Sequence, residues 1–294
     1  MSDKSSRSRT KITTIAFQLK KTRGHPITML TAYDYATALA IERSGIDAIL
    51  VGDSLGMVVL GYENTLPVTM DDMLHHCKAV ARGANSPLLI GDMPFMSYQT
   101  GRNDAVRNAG RFLAEGGMDC VKLEGGSEVS ATAQAIIRAG IPVMGHLGLT
   151  PQSVRKLGGF KSQARNSSAA LKLLENALIL EDSGCFSVVL EAIPDRVADL
   201  VSERLSIPTI GIGAGPSCDG QVLVTQDLLG ILGDIKPRFV KQYAHLDIAI
   251  AEALASYKAE VENLQFPSKE HTFSISEDEW DALLNLVDDP SRTG

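Results

Sequence analysis

The sequence lacks features that mark several common classes of protein. Its 294 residues include one tryptophan and four cysteines, and Cys77, Cys120, Cys185 and Cys218 are scattered without a CxxC pair. Scattered cysteines are typical of free thiols and speak against a disulfide framework or a zinc site. No apolar run approaches the ~20 residues that span a bilayer, and residues 1–10 lack the apolar stretch of a signal peptide. We therefore expect a soluble cytoplasmic protein.

A surplus of positive charge is also missing. The chain carries 28 basic and 35 acidic side chains, a formal net charge of −7, which argues against a nucleic-acid-binding or membrane-surface protein. The surplus of acid is local, because residues 259–294 hold nine acidic and two basic side chains, equal to the net charge of the whole chain. With 44% hydrophobic residues, the chain has enough apolar material for a large buried core.

Short apolar runs alternate with segments of helical periodicity along most of the chain. Continuous apolar runs are typical of parallel strands that are buried on both faces. The predicted strands are Thr28–Thr31, Ala48–Val51, Leu88–Ile90, Cys120–Leu123, Pro142–Met144, Ser187–Leu190, Thr209–Ile212 and Leu228–Leu232. The predicted helices are Lys11–Lys20, Tyr35–Ser44, Met70–Arg82, Asp104–Glu115, Val129–Ala139, Ser168–Ser183, Pro194–Leu205 and Leu246–Lys258.

Eight strands with intervening helices predict an α/β fold, a (β/α)₈ TIM barrel with a short N-terminal helix and a C-terminal helical extension. Glycine follows several of the helices, at Gly45, Gly116, Gly140 and Gly184, as expected where a left-handed residue ends a helix. A doubly wound open sheet has the same local pattern. The lack of an obvious topological switch point favours the closed barrel.

The predicted domain division follows from where this alternation stops. We expect a flexible N-terminus over residues 1–10, one catalytic barrel over residues 11–264 and an acidic extension over residues 265–294. In the extension, Ser276 stands where a helix N-cap is expected, and Trp280 begins the apolar period of a short amphipathic helix. We expect that helix to dock on the barrel or on a neighbouring subunit.

Four predicted strands end in an acid and a fifth ends in a histidine. These residues are Asp53, Asp92, Glu124, Glu191 and His146. At any one strand, an aspartate in this place is more often the N-cap of the next helix. In a barrel, however, all five side chains would lie at the same mouth, and the carboxylates would repel one another without a cation between them. Because Mg²⁺ prefers carboxylate, water and substrate oxygens, the pattern predicts a metal–carboxylate site.

Other segments near the same mouth give weaker indications. Lys122 shares a strand face with Glu124, and a lysine in an apolar strand is costly unless it is paired, so we expect it to serve the site. The glycine-rich stretch Gly211–Gly215 either cradles a phosphate or leaves room for a bulky ligand. Two long connections, Leu55–Thr69 and Leu147–Ser167, have the length of functional loops.

Six motifs occur together and in one order. They are Thr31-Ala-Tyr-Asp34, Val51-Gly-Asp-Ser-Leu-Gly56, Gly91-Asp-Met-Pro-Phe-Met-Ser-Tyr98, Val121-Lys-Leu-Glu-Gly-Gly126, Gly145-His-Leu-Gly-Leu-Thr-Pro-Gln152 and Ile210-Gly-Ile-Gly-Ala-Gly-Pro216. In this order they resemble the ketopantoate hydroxymethyltransferase family, also called 3-methyl-2-oxobutanoate hydroxymethyltransferases. The resemblance extends over roughly residues 11–264.

The resemblance implies a transferase with a (β/α)₈ barrel. Such an enzyme moves a hydroxymethyl group from 5,10-methylenetetrahydrofolate to 3-methyl-2-oxobutanoate and gives 2-dehydropantoate for pantothenate and coenzyme A synthesis. The resemblance also implies one Mg²⁺ per subunit and a homodecamer. By position in the motifs, it assigns the metal to Asp53, Asp92 and Glu124, the oxoacid to Asp53, Ser54, Asp92 and Lys122, and the proton acceptor to Glu191.

Two other functions stay open at this stage. The first is another Mg²⁺-dependent enolate barrel, of the phosphoenolpyruvate mutase and isocitrate lyase type, although the Lys-Lys-Cys-Gly-His loop of its lyase members is absent from this sequence. The second is a barrel that binds a metabolite without catalysis. The presence of Glu191 and Lys122 speaks against the second.

Overall fold

The computed structural model describes residues 9–157, 159, 161–233 and 237–288. These residues form two compact units, divided between Ala244 and His245. The predicted flexible N-terminus over residues 1–10 lies almost entirely outside the described residues. The predicted boundary at residue 264 stays a prediction.

The first unit is a closed barrel of eight parallel strands, each paired with the next along the chain. The strands are β1 (Ile27–Thr31), β2 (Ala48–Val51), β3 (Leu88–Asp92), β4 (Cys120–Glu124), β5 (Val143–Gly148), β6 (Ser187–Glu191), β7 (Thr209–Ile212) and β8 (Gly220–Leu223). Closure comes from β8 pairing with β1, where Gly220 lies opposite Ile27. The predicted barrel is confirmed, and the open sheet is excluded.

Helices and short turns connect the strands. In the first unit they are α1 (Thr14–Thr22), α2 (Tyr35–Ser44), α3 (Leu55–Val58), α4 (Met70–Gly83), α5 (Arg102–Ala114), α6 (Ser130–Arg138), a 3₁₀ turn (Pro151–Ser153), α7 (Val154–Leu157), α8 (Ser167–Asp182), α9 (Asp195–Arg204) and α10 (Thr225–Leu229). The glycines predicted to end α2 and α6, Gly45 and Gly140, have φ values of 79° and 87°. These are left-handed conformations that favour glycine.

The second unit contains two helices and a 3₁₀ turn. They are α11 (Leu246–Glu262), the turn Lys269–His271 and α12 (Glu277–Val287). The predicted N-cap is present, since the hydroxyl of Ser276 accepts a hydrogen bond from the backbone N–H of Glu279 at 3.4 Å. The amphipathic helix predicted in the extension is therefore confirmed as a helix, and its docking partner stays a prediction.

One predicted strand was wrong. The eighth strand is Gly220–Leu223, whereas the segment predicted for it, Leu228–Leu232, begins inside α10. The true strand was hard to find because its side chain at Gln221 is exposed, so its sequence is not a continuous apolar run. The apolar segment instead completes a helix that ends at Gly230, which has the left-handed φ of 62°.

Alternate residues along the strands point into the barrel and fill it. This inner core consists of Ile27, Met29, Ala48, Leu50, Leu88, Ile90, Cys120, Met144, Val189, Ile210 and Val222, together with Phe17. Phe17 comes from α1 and is completely buried. The first helix, which the sequence predicted, therefore closes the amino-terminal end of the barrel.

A buried aspartate fastens this closing helix to the barrel. Asp47 is 3% exposed and precedes β2. Its Oδ2 accepts hydrogen bonds from the Nζ of Lys20 at 2.7 Å, and from the backbone N–H and hydroxyl of Thr28 at 2.9 and 2.8 Å. Burial by itself raises the pKa of Asp47, but the hydrogen bonds from Lys20 and Thr28 outweigh it, so the pKa lies below its usual value.

Replacing Asp47 by alanine tests this anchor. We expect the free energy of unfolding to fall by about 3 kcal/mol, because Lys20 and Thr28 lose a charged partner in a buried place. Urea unfolding at one protein concentration measures the change. As a control, Asp104→Ala removes a carboxylate whose pair with Arg107 is 50% and 72% exposed, and we expect it to cost less than about 1 kcal/mol. Equal losses in the two variants would contradict the anchoring role.

Candidate active site

At the carboxyl end of the barrel, the side chains that point inward are polar. They continue the alternate, inward-facing positions of the apolar core. Asp92, Lys122, His146 and Glu191 each stand two residues after a side chain of the inner core, and Glu124 stands two residues after Lys122. A spacing of two keeps each of them on the inner face of its strand. The strand pairing sets Asp92 beside Lys122 and Glu124 beside His146. Five of the predicted polar residues are therefore brought together.

Asp53 joins this group from the turn after β2. It is 3% exposed, and its backbone N–H donates a hydrogen bond to Oδ2 of Asp92 at 3.2 Å. The preceding Gly52 permits the close turn, because a Cβ at that position would lie 2.9 Å from the Ser54 hydroxyl oxygen. That hydroxyl lies 2.9 Å from the hydroxyl of Tyr33, and either can donate. Both predicted site residues of this turn therefore lie at the mouth.

A chain of charged contacts crosses the mouth. The Nζ of Lys122 lies 2.8 Å from Oδ1 of Asp92 and 3.2 Å from Nδ1 of His146. On its other side, His146 has Nε2 at 3.1 Å from Oε2 of Glu191, and its Nδ1 lies 3.5 Å from Oε1 of Glu124. The two contacts of His146 with carboxylates are ion-pair distances. Two cationic side chains therefore lie among the carboxylates of three different strands.

Burial and mutual repulsion shift the acidity of the aspartate in the turn. Burial is the largest effect on Asp53, and the nearby carboxylates of Asp92 and Glu124 act in the same direction. Lys122 and a hydrogen bond from Gln152 oppose them, but the pKa of Asp53 stays well above its usual value. The surroundings of Asp53 therefore disfavour a negative charge on its carboxyl group.

The pKa values of the two basic side chains, Lys122 and His146, are raised as well, which favours their charged forms. Burial lowers the pKa of Lys122, but the carboxylates of Asp92, Glu124 and Asp53 outweigh it, so the pKa is raised. Burial and the Lys122 ammonium likewise lower the pKa of His146, but Glu124 and Glu191 outweigh them and raise it to about 9. Both side chains therefore carry a positive charge at neutral pH.

The oxygen donors of this group suit a hard divalent cation. Asp53, Asp92 and Glu124 are 3%, 2% and 5% exposed. Oε1 of Glu124 is buried and makes no hydrogen bond, although Nδ1 of His146 lies 3.5 Å from it. Buried carboxylate oxygens that lack a hydrogen bond are suited to Mg²⁺. Among the residues that the structure describes, no three His, Cys, Asp or Glu side chains are already grouped as a metal site. The metal ligands therefore stay a prediction.

Sequence reasoning missed two residues of the site. Gln152 donates from Nε2 to Oδ2 of Asp53 at 2.9 Å and from its backbone N–H to Oε2 of Glu124 at 3.1 Å. Tyr98 lies 2.7 Å from Oε1 of Gln152 through its hydroxyl. Each residue ends one of the six motifs, and that is the signal that could have found them. Neither lies on a strand, so periodicity gave no reason to place them in the mouth.

A cavity of about 540 Å³ lies away from these residues. It is lined by Ile27, Thr28, Gly213, Gly215 and Phe239, among others, and by none of the predicted site residues. The glycine-rich stretch predicted to receive a phosphate or a bulky ligand borders this cavity. Which of those two roles it has stays open.

The fold and the site define a class: a (β/α)₈-barrel enzyme with carboxylates, a lysine and a histidine gathered at the carboxyl ends of its strands. The ketopantoate hydroxymethyltransferase profile matches residues 11–269. A 3-methyl-2-oxobutanoate hydroxymethyltransferase of Clostridium botulinum (strain Langeland) is 57% identical over 266 residues, which cover 90% of this chain and 97% of that protein. The enzyme of the same name from Acetivibrio thermocellus is 54% identical over 270 residues, covering 92% and 95%. The chain belongs to the ketopantoate hydroxymethyltransferase family, whose members are transferases.

Solved structures support the fold independently. The crystal structure of 2,3-dimethylmalate lyase, a member of the PEP mutase/isocitrate lyase superfamily, is similar with a TM-score of 0.57. The match covers 88% of this chain and 91% of that one at 15% sequence identity. A likeness at this identity concerns the architecture of the barrel. Among the described residues, no helix has both the length and the apolar character needed to cross a membrane.

Replacing Lys122 by methionine tests the charge balance of the mouth. We expect the free energy of unfolding at neutral pH to fall by about 3–5 kcal/mol, because removing one partner leaves a buried carboxylate uncompensated. Urea unfolding in the presence of a chelator measures the loss. In the control Lys258→Met, the broken pair with Glu262 is 72% and 60% exposed, and we expect a loss below about 1 kcal/mol. A folded Lys122→Met protein as stable as the control would refute the charge-balancing role.

Proposed function

We propose that this protein transfers a hydroxymethyl group from 5,10-methylenetetrahydrofolate to 3-methyl-2-oxobutanoate, giving 2-dehydropantoate and tetrahydrofolate, the first committed step of pantothenate biosynthesis. The observation that carries the proposal is the mouth itself: four strand-end acids, a buried lysine and a histidine in a chain 57% identical to an enzyme of that name. We further propose Mg²⁺ as the metal, a homodecamer as the assembly and the cytoplasm as the location.

We propose that Asp53, Asp92 and Glu124 hold the cation. Their burial close together and the Oε1 atom of Glu124, which makes no hydrogen bond, support this set. When bound, Mg²⁺ supplies Lewis-acid polarisation of the 2-oxo group, which makes the neighbouring C3–H bond more acidic. Glu191 lies outside this set and is free for another role.

The oxoacid carries a carboxylate of its own, which adds to the negative charge of the acidic side chains at the mouth. A carboxylate side chain repels such a substrate directly, so Asp53 and Asp92 contribute to its binding through the cation. The Lys122 ammonium offsets the charge of the oxoacid, and the Ser54 hydroxyl, in the turn beside Asp53, provides a neutral hydrogen-bonding group. Both side chains lie at the mouth with the acids that surround them.

Glu191 is the group that we propose removes the C3 proton. Its side chain is 17% exposed, whereas those of Asp92 and Glu124 are 2% and 3% exposed, so it is the more accessible carboxylate. Nε2 of His146 lies 3.1 Å from Oε2 of Glu191 and holds this carboxylate in place to accept the proton. The substrate carbon that loses its proton then forms a carbon–carbon bond to the methylene carbon of the folate. Water supplies the hydroxyl oxygen of the product, the bonds from the methylene carbon to the folate nitrogens break, and tetrahydrofolate leaves.

The likeness to the PEP mutase/isocitrate lyase superfamily does not favour a second function. At 15% identity it concerns the barrel alone, and the loop motif of the lyase members is absent from this sequence. Neither that class of enzyme nor a metabolite-binding barrel uses tetrahydrofolate. A folate-dependent assay therefore separates all three functions.

The purified protein, incubated with 3-methyl-2-oxobutanoate, 5,10-methylenetetrahydrofolate and Mg²⁺, should form 2-dehydropantoate. Mass spectrometry of the product and the amount of tetrahydrofolate released measure the reaction. We expect no product when the folate is omitted, and loss of product when a chelator removes the metal. Oxoacid turnover that proceeds without folate would refute the proposed reaction, and full activity in chelator would refute the metal.

Replacing Glu191 by glutamine tests the proposed base. In deuterated buffer with Mg²⁺, we expect C3 of 3-methyl-2-oxobutanoate to exchange its proton at least about 100-fold more slowly than with the wild-type protein, because the amide cannot accept the proton. Proton NMR follows the exchange, and calorimetry checks that Mg²⁺ still binds. The control is Glu203→Gln, which changes an exposed glutamate on α9. Exchange at the wild-type rate in Glu191→Gln would remove Glu191 from this role.

A further inference from the structure

Gln152 contacts the ends of several strands at the mouth. It follows β5 in the 3₁₀ turn Pro151–Ser153 and is 5% exposed. Its Nε2 donates to Oδ2 of Asp53, after β2, and to the backbone oxygen of Met93, after β3, both at 2.9 Å. Its backbone N–H donates to Oε2 of Glu124, at the end of β4, at 3.1 Å. One residue therefore links the ends of four consecutive strands.

Both hydrogens and the oxygen of the Gln152 side-chain amide are used in hydrogen bonds. An amide nitrogen has two hydrogens, which Nε2 donates to Asp53 and to the Met93 carbonyl, and a carbonyl oxygen can only accept. This fixes which end of the amide is nitrogen, so the carbonyl oxygen must face Tyr98. With both hydrogens used, the side chain has no donor left for a substrate. Its geometry is that of a group that orients other side chains.

Tyr98 holds the other end of the amide. It is 3% exposed, and its hydroxyl lies 2.7 Å from Oε1 of Gln152. The same hydroxyl oxygen accepts a hydrogen bond from the backbone N–H of Glu124 at 3.2 Å. Because the hydroxyl donates to one group and accepts from the other, it ties the amide to the strand that carries Glu124.

These contacts occupy one oxygen of each carboxylate. Oε2 of Glu124 accepts from Gln152, whereas Oε1 is buried, makes no hydrogen bond and lies 3.5 Å from Nδ1 of His146. Oδ2 of Asp53 likewise accepts a hydrogen bond from Nε2 of Gln152. When a hydrogen bond holds one oxygen of a carboxylate, the direction of its other oxygen is fixed as well. Residues that hydrogen-bond to metal ligands orient them in this way.

We propose that Gln152, supported by Tyr98, is a positioning residue that fixes Asp53 and Glu124 for the divalent cation. This inference rests on the proposed function, because it takes these two carboxylates as ligands. Neither Gln152 nor Tyr98 touches the reacting atoms. Their role is to set the affinity for the cation before any substrate enters.

The test is the affinity of the full-length protein for Mg²⁺ alone, measured by calorimetry without substrates. Gln152→Met keeps the length of the side chain and removes its hydrogen bonds, and we expect the Kd to rise about 10–100-fold. Tyr98→Phe removes one hydroxyl and should raise the Kd about threefold to tenfold. The control is Gln18→Met, which removes a single amide hydrogen bond to the Ser206 carbonyl, from the helix that closes the opposite end of the barrel. It should leave the Kd unchanged.

The affinity of a double variant for Mg²⁺ distinguishes a positioning role of these two residues from general damage to the fold. We expect the double variant Gln152→Met/Tyr98→Phe to bind Mg²⁺ within about twofold of Gln152→Met, because the hydroxyl acts through the amide. With saturating Mg²⁺, Gln152→Met should recover most of the wild-type kcat while the concentration of Mg²⁺ needed for half-maximal rate rises. A residue that merely stabilises the fold would lower kcat at every concentration of metal.

Asp53→Asn distinguishes the failure of this inference from that of the proposed function. If Asp53→Asn loses Mg²⁺ binding while Gln152→Met binds within about twofold of wild type, the positioning role is overturned and the metal site stands. If Asp53→Asn binds as wild type does, the proposed ligand set falls as well. If circular dichroism shows that Gln152→Met does not fold, the Tyr98→Phe variant is used in its place. An unchanged Kd for Mg²⁺ in folded Tyr98→Phe overturns the inference.

Discussion

Burying several carboxylates next to too few cations is the constraint on which the mouth of this barrel depends. Asp53, Asp92 and Glu124 are almost inaccessible to water, and Lys122 and His146 are the cationic side chains in contact with the group. An unpaired buried charge is far more costly than an exposed one. The lysine within an apolar strand, the charged histidine and the amide donors around the acids are all explained by this one requirement.

The part of the site that could be predicted from sequence is the part set by strand geometry. Successive side chains of a strand point to opposite faces, so residues two positions apart lie on the same face. Asp92, Glu124 and Glu191 could therefore be assigned to the mouth before any tertiary contact was known. The same spacing assigns Lys122 and His146 to the mouth. The barrel itself was predictable for the related reason that buried parallel strands are short apolar runs. These features are local properties of the chain.

The part that could not be predicted depends on how distant loops meet. Gln152 and Tyr98 come from the connections after β5 and β3, where no period fixes the direction of a side chain, and they are 54 positions apart. The missed eighth strand has a related cause. Its exposed Gln221 breaks the apolar run, whereas the more apolar Leu228–Leu232 begins within a helix. In both cases, neighbours from elsewhere in the fold decide the outcome.

The charge of the whole chain and the charge of its site come from different segments. Residues 270–294, beyond the match to the family, carry seven acidic side chains and one basic side chain. At the barrel mouth, by contrast, the acids Asp53, Asp92, Glu124 and Glu191 outnumber Lys122 and His146, the basic side chains that contact them among the described residues. An interaction with a small cation depends on distances of a few ångströms between buried atoms, whereas exposed charges further away are screened by solvent and salt. The acidity of the sequence therefore neither requires nor explains the acidity of the site.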